Sequence, residues 1–149
     1  MVCTANVCRS PMAEVVATQI AQRNGLSQKF RFESAGTHAN KSKMRIDSRA
    51  VAVLERRGYA VKKMRSKPIE KKDFQRFDFI LAMDNTNYSE LQRICPPELQ
   101  HKLKMFLAES KGVGSGEVPD PYYGNSEGFE RVLDLCETGV QGLLRSTLA

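Results

Sequence analysis

Tryptophan is absent from the 149 residues, and histidine occurs only twice, at His38 and His101. With so few imidazoles, and with Cys3, Cys8, Cys95 and Cys136 too unevenly spaced to make two ligand pairs, there is no zinc-site pattern. No metal and no other cofactor is expected. No apolar run approaches the roughly 20 residues of a membrane-spanning helix, and no secretory signal pattern opens the chain. With the four cysteines unevenly spaced as well, the chain reads as a reduced, cytoplasmic protein with no membrane association. Internal repeats and low-complexity linkers are missing as well. Residues 1–149 therefore read as one domain, with 41% hydrophobic residues to fill a normal core.

What the chain does carry is concentrated near its start, in the run Cys3-Thr4-Ala5-Asn6-Val7-Cys8-Arg9-Ser10-Pro11. Five residues between Cys3 and Arg9 suffice to wrap one tetrahedral anion. Ser10 is a good N-cap and Pro11 a good first helical residue, so the loop is expected to open onto a helix whose free N–H groups point back at Cys3. That field would hold an oxyanion and stabilise a thiolate. A cysteine beside a strand is ordinarily core. An arginine and a Ser-Pro helix start within one loop's reach of it are rarely needed for packing. Cys8 either packs or traps an oxidised Cys3 as a disulfide.

Strands and helices alternate along the rest of the chain. Apolar positions from Met12 to Ala21 predict a helix ending at Asn24-Gly25, and Phe30 and Phe32 alternate in a strand that runs up to Ala35-Gly36. A second helix is expected after Asp47, with Ala50, Val51, Val53 and Leu54 on one face and Gly58 as its stop. Phe77 to Met83 reads as a buried parallel strand; Asn85 or Thr86 leads into a helix broken by Pro96-Pro97. Leu99 to Leu107 holds a short last strand, Lys111 to Pro119 a glycine-rich loop, and Phe129 to Leu143 a final helix. The fold class is α/β, a single doubly wound domain with a central, mostly parallel four-stranded sheet flanked by helices on both faces. In such folds ligands bind at the carboxyl ends of the strands, which is where Cys3 falls. Asp120 reaches the same end on its glycine-flanked loop, a suitable delivery for a general acid.

The net charge of +6 favours acidic partners, with a basic crowd at Arg56, Arg57, Lys62, Lys63, Arg65, Lys67, Lys71 and Lys72. That stretch lacks interleaved aromatics and any nucleic-acid motif, so nucleic-acid binding is not expected. A solvated face, or a rim that steers phosphorylated substrates, fits better. Nothing in the sequence points to a particular oligomeric state.

Taken with Asp120-Pro121-Tyr122-Tyr123-Gly124, the run from Cys3 to Pro11 resembles the low-molecular-weight protein tyrosine phosphatase family. Ser34-Ala35-Gly36-Thr37, Asp47-Ser48-Arg49-Ala50 and Phe77 to Asp84 fall in that family's order, so the resemblance covers nearly the whole chain. It implies phosphotyrosine-containing proteins as substrates, Cys3 as nucleophile, Arg9 as phosphate clamp and Asp120 as general acid and then base. Thr4, Ala5, Asn6, Val7, Cys8 and Ser10 complete the phosphate loop, with Asn6 fixing its shape and Ser10 donating to the departing sulfur. Tyr122 and Tyr123 would wall one side of a slot for the phosphorylated ring.

Three departures from the family pattern stand out. The segment His38 to Ser42 lacks the lip aromatic of animal enzymes unless His38 substitutes; Met64 and Lys67 occupy places where a histidine and an arginine are common; Ala5 replaces a usual glycine, which requires a negative or mildly strained φ. Rival readings share the loop. An arginine phosphatase of this family resembles its fellows in carrying Thr where Val7 stands, an arsenate reductase needs paired relay cysteines where Cys95 stands alone, and a non-catalytic phosphate-binding module would not need Asp120. Finally, only Met1 and Val2 precede Cys3, where similar chains have several apolar strand residues. An N-terminal extension completing the first strand is therefore expected.

Overall fold

Loops that cross a parallel sheet need helices to return on, and the order of elements follows that rule. The computed structural model describes residues 1–149 as β1 (Val2–Cys3), α1 (Arg9–Arg23), β2 (Ala35–Gly36), α2 (Ser48–Arg56), α3 (Lys71–Arg76), β3 (Ile80–Ala82), α4 (Asn85–Ile94), β4 (Leu103–Met105) and α5 (Ser126–Leu148). The sheet runs β2-β1-β3-β4 and every pairing is parallel, with Val2 opposite both Ala35 and Ala82, and Ile80 opposite Leu103. From β1 the chain goes first to one side and then to the other, so the crevice of a doubly wound sheet opens at the carboxyl end of β1. Cys3 is the last residue of that strand.

Alternation along the strands feeds two apolar layers. Cys3, Leu81 and Met83 point into one with α1, α2 and α5; Val2, Ile80, Ala82 and Leu103 point into the other with Phe74 of α3 and Leu91 of α4. Helix α2 starts and stops as its sequence predicts, with Asp47 accepting from the Arg49 N–H at 2.8 Å and Gly58 turning the chain at φ 88°. In α4 the cap is neither Asn85 nor Thr86 but Asp84, which accepts from the Asn87 N–H at 2.7 Å.

Two expected strands are shorter than their apolar runs. The segment containing Phe30 and Phe32 stays outside the ladder, its rings stacked at 5.8 Å, and Phe77 to Phe79 likewise lies outside β3. A strand exists only where a neighbour supplies hydrogen bonds, and β1 offers Val2–Cys3 alone. Helix α3 escapes the periodicity argument because Phe74 is the one apolar residue of its six; its signal is local, Asp73 accepting from the Glu70 N–H at 2.9 Å.

Close approach of backbones fixes one glycine next to the future site. A Cβ on Gly36 would lie 2.5 Å from the Thr4 carbonyl oxygen and 2.9 Å from the Ala39 Cβ. Gly36→Ala should therefore push β2 away from the loop after β1, lowering stability by about 1–3 kcal/mol. A thermal melt together with anion binding checks it, and an unchanged melt would show that the loop yields freely.

Candidate active site

Between β1 and α1 the loop turns on Asn6, whose φ of 58° is one of only two positive values among the non-glycine residues. Ala5 is not the other, so the residue at the usual glycine position carries no left-handed strain. Asparagine tolerates that conformation and uses its side chain as well. Asn6 Nδ2 donates to Ser10 Oγ at 2.8 Å and to Ser34 Oγ at 3.0 Å, while Asn6 Oδ1 accepts from the Lys67 N–H at 3.0 Å. Ser34 passes the chain on to Glu14 Oε2 at 2.5 Å, and burial raises the Glu14 carboxyl above its ordinary range. The six backbone N–H groups from Thr4 to Arg9 make no hydrogen bond within the protein. Such a run of free donors is a nest for an anion.

The helix start differs from its sequence reading. Helix α1 begins at Arg9, with the Cys8 carbonyl accepting from the Met12 N–H at 3.1 Å, and Ser10 is not the cap. Its hydroxyl is drawn inward instead. Ser10 Oγ donates to the Ala35 carbonyl oxygen at 3.2 Å and lies 3.0 Å from Cys3 Sγ, where it can accept from the thiol or turn to donate to the thiolate. Cys3 is 3% exposed at the floor of the loop.

Arg9 is buried and held from three directions. Nη1 donates to Asp84 Oδ2 at 2.5 Å and to the Val118 carbonyl at 3.0 Å; Nη2 donates to Thr4 Oγ1 at 3.4 Å and stands 3.7 Å from Asp120 Oδ2. Asn87 Nδ2 also donates to Thr4 Oγ1, at 3.0 Å. Asp120 Oδ1 accepts from the Tyr122 N–H at 3.1 Å, an Asx turn that presents the half-exposed carboxylate to the loop. Cys3, Arg9, Ser10, Asn6 and Asp120 are thus brought together. Asp84, Asn87, Ser34 and Glu14 join them without having been singled out as site residues, although Ser34 and Asp84 lie in the quoted motifs.

The tyrosines meet edge to face at 5.0 Å, with Tyr122 42% exposed and Tyr123 95% exposed. Only Tyr122 is anchored, its carbonyl accepting from Arg49 Nη2 at 2.9 Å while that guanidinium lies 5.6 Å from its ring. Arg49 also bonds Asp47 and holds that carboxyl below its ordinary range. Across the loop, His38 is exposed and ties to Thr37 Oγ1 through Nδ1 at 2.9 Å. Cys8 is buried, and desolvation with the neighbouring acidic groups Asp47, Cys3 and Asp120 pushes its thiol up to about 12. It remains a protonated thiol at neutral pH.

A thiol below a ring of free N–H donors, an arginine fork beside it and a carboxylate at the rim define a thiol-based phosphoryl-transfer site at the switch point of an open α/β sheet. A family model described as "Low molecular weight phosphotyrosine protein phosphatase" matches residues 1–149. A low molecular weight protein-tyrosine-phosphatase of Streptomyces coelicolor is 36% identical over 146 residues, covering 96% of this chain and 88% of the relative. The human low molecular weight phosphotyrosine protein phosphatase is 33% identical over 141 residues, covering 91% and 85%. A crystal structure of a protein tyrosine phosphatase from Entamoeba histolytica superposes with a TM-score of 0.94 at 39% identity, over 99% of this chain and 94% of that one. The chain belongs to the low molecular weight phosphotyrosine protein phosphatase family.

Proposed function

We infer that the protein is a cysteine-dependent protein tyrosine phosphatase that hydrolyses phosphotyrosine monoesters of proteins through a phosphocysteine intermediate. The observation that carries this reading is the six unpaired N–H groups from Thr4 to Arg9 around Cys3, with Arg9 Nη2 3.7 Å from Asp120. In the first displacement the Cys3 thiolate attacks phosphorus as the bond to the phenolic oxygen breaks, and Asp120 gives that oxygen its proton. Arg9 and the loop N–H groups hold the equatorial oxygens. In the second, Asp120 takes a proton from water, the water oxygen bonds to phosphorus, and the S–P bond breaks to return the thiolate beside Ser10 Oγ. Residues 1–149 act as one catalytic unit, and four free thiols suit a reducing cytoplasm.

Turnover by the purified protein on phosphotyrosine, phosphoarginine and phosphoserine peptides tests the reading. Phosphotyrosine should dominate, with activity intact after metal chelation. A faster phosphoarginine reaction would move the protein to the arginine phosphatases despite Val7, and no turnover on any peptide would leave a binding module.

Peroxide should inactivate through Cys3, with phosphate protecting. Protonation shields Cys8 from peroxide itself, and once the Cys3 sulfenic acid has formed the Cys8 sulfur can displace its hydroxyl, the thiol proton leaving with it as water; a thiol reductant should then cleave the disulfide and restore activity. Peptide mapping checks for the Cys3–Cys8 link; recovery of Cys3 only as sulfinic or sulfonic acid would remove that role.

A further inference from the structure

The basic stretch of the sequence divides in three dimensions. Arg56 and Arg57 are bound to Glu130, Asp134 and Glu137 of α5, Lys67 and Arg76 to Glu33, and Lys72 to Glu70. Lys62, Lys63 and Arg65 have no acidic partner, and neither do Lys41, Lys43 and Arg45. All six are exposed. No acidic residue occurs from Lys41 to Ile46 or from Tyr59 to Ile69.

The fold sews the two segments together beside the phosphate loop. The Ser66 N–H donates to the Met44 carbonyl at 2.8 Å, the Met44 N–H to Ser66 Oγ at 2.8 Å, and Arg45 faces Arg65 across an antiparallel bridge. Like charges placed opposite each other work against the free protein and are relieved by an anion between them. Both segments are fastened to the site: the His38 N–H reaches the Thr4 carbonyl at 2.9 Å, the Asp47 N–H reaches the Val7 carbonyl at 2.8 Å, and the Lys67 N–H reaches Asn6 Oδ1 at 3.0 Å. A cavity of about 200 Å³ lies between the phosphate loop and the second segment, lined by Asn6 together with Ile46, Lys63, Arg65 and Lys67. The one carboxylate in its wall, Glu14, is engaged by Ser34.

We propose that the six cations of residues 41–45 and 62–65 form a docking surface for the acidic sequence flanking the phosphotyrosine of a protein substrate. The proposal rests on the phosphatase reading and adds the substrate's chemistry to it. One tethered ligand then meets two sites, its phosphoryl group in the loop and its carboxylates on the cationic face. The second contact is intramolecular once the first has formed. A screening length of roughly 8 Å at physiological ionic strength lets so dense a patch act on approaching peptides as well.

Two phosphotyrosine peptides of equal length, one flanked by Asp and Glu and one by Gln and Ser, should differ in kcat/KM by about 3- to 30-fold at low salt, with equal kcat. The gap should close at about 0.5 M salt. A variant carrying K41Q, K43Q, R45Q, K62Q, K63Q and R65Q should lose the preference while hydrolysing p-nitrophenyl phosphate as the parent does. Equal kcat/KM for the two peptides at low salt, or a preference that survives in the variant, overturns the proposal. Calorimetric binding of both peptides to the Cys3→Ser protein reads the same preference without turnover, so failure of the phosphatase reading and failure of the docking surface are told apart. If duplex DNA or anionic vesicles bind this face more tightly than the acidic peptide, the patch serves a different partner and the assignment falls.

Discussion

Replacing Cys3 by serine should abolish turnover, a fall of roughly 10⁴-fold or more, while phosphate and vanadate still bind within about tenfold of the parent affinity. The two outcomes separate because the groups that hold the anion are not the group that attacks it. The N–H donors of Thr4 to Arg9 belong to the backbone, and the Arg9 guanidinium is fixed by Asp84 and the Val118 carbonyl; neither depends on the sulfur. A serine hydroxyl is close to isosteric but stays protonated at neutral pH, so it offers no anionic nucleophile. It also keeps a hydrogen-bonding partner for Ser10, which sits 3.0 Å from the sulfur, so the loop should not collapse. Steady-state assay with p-nitrophenyl phosphate and calorimetry with vanadate check the pair. Appreciable hydrolysis by a preparation free of contaminating phosphatase would remove Cys3 as nucleophile.

The loop itself was legible because its chemistry is local: nucleophile, clamp and helix start lie within nine residues. What surrounds it was not, because the sheet order supplies it. Asp84 follows β3 and Asn87 belongs to the α4 first turn, and both reach Arg9 or Thr4 only because β1 lies next to β3. Ser34 and the Lys67 N–H meet Asn6 because β2 lies on the opposite side. Ser10 shows how a sound local rule fails. Serine before proline is a good cap, yet a buried thiol and a buried carbonyl compete for the same hydroxyl, and the helix starts two residues earlier, at Arg9, without a side-chain cap. The strand lengths were overestimated for a related reason: apolar runs predict burial, while the ladder ends where the neighbour ends, as at Phe30 and at Phe79. Tyr122 and Tyr123 were paired in sequence, and only Tyr122 is tied to the rest of the rim.

Asp120→Asn should lower kcat on phosphotyrosine by about 10²–10⁴-fold, and the loss should depend on the leaving group. The amide oxygen can still accept from the Tyr122 N–H, which Asp120 Oδ1 now does at 3.1 Å, so the loop is expected to keep its turn. What disappears is the transferable proton. A tyrosine leaving group has a pKa near 10 and departs poorly as the anion, so the first displacement slows. An aryl phosphate with a much more acidic phenol needs no proton, and its kcat/KM, which reports that first step, should fall far less. Its kcat should still fall, because the second displacement requires a base for the attacking water whatever group has left. Rapid mixing should accordingly show a burst of phenol equal to the enzyme concentration, followed by slow turnover. The substitution also removes a negative charge 3.7 Å from Arg9, which taken alone favours binding of the phosphate dianion. KM for phosphotyrosine should therefore stay level or drop. An equal loss of kcat/KM across leaving groups of different acidity, with KM raised, would mean that Asp120 shapes the rim through its bond to Tyr122 and that the proton comes from elsewhere.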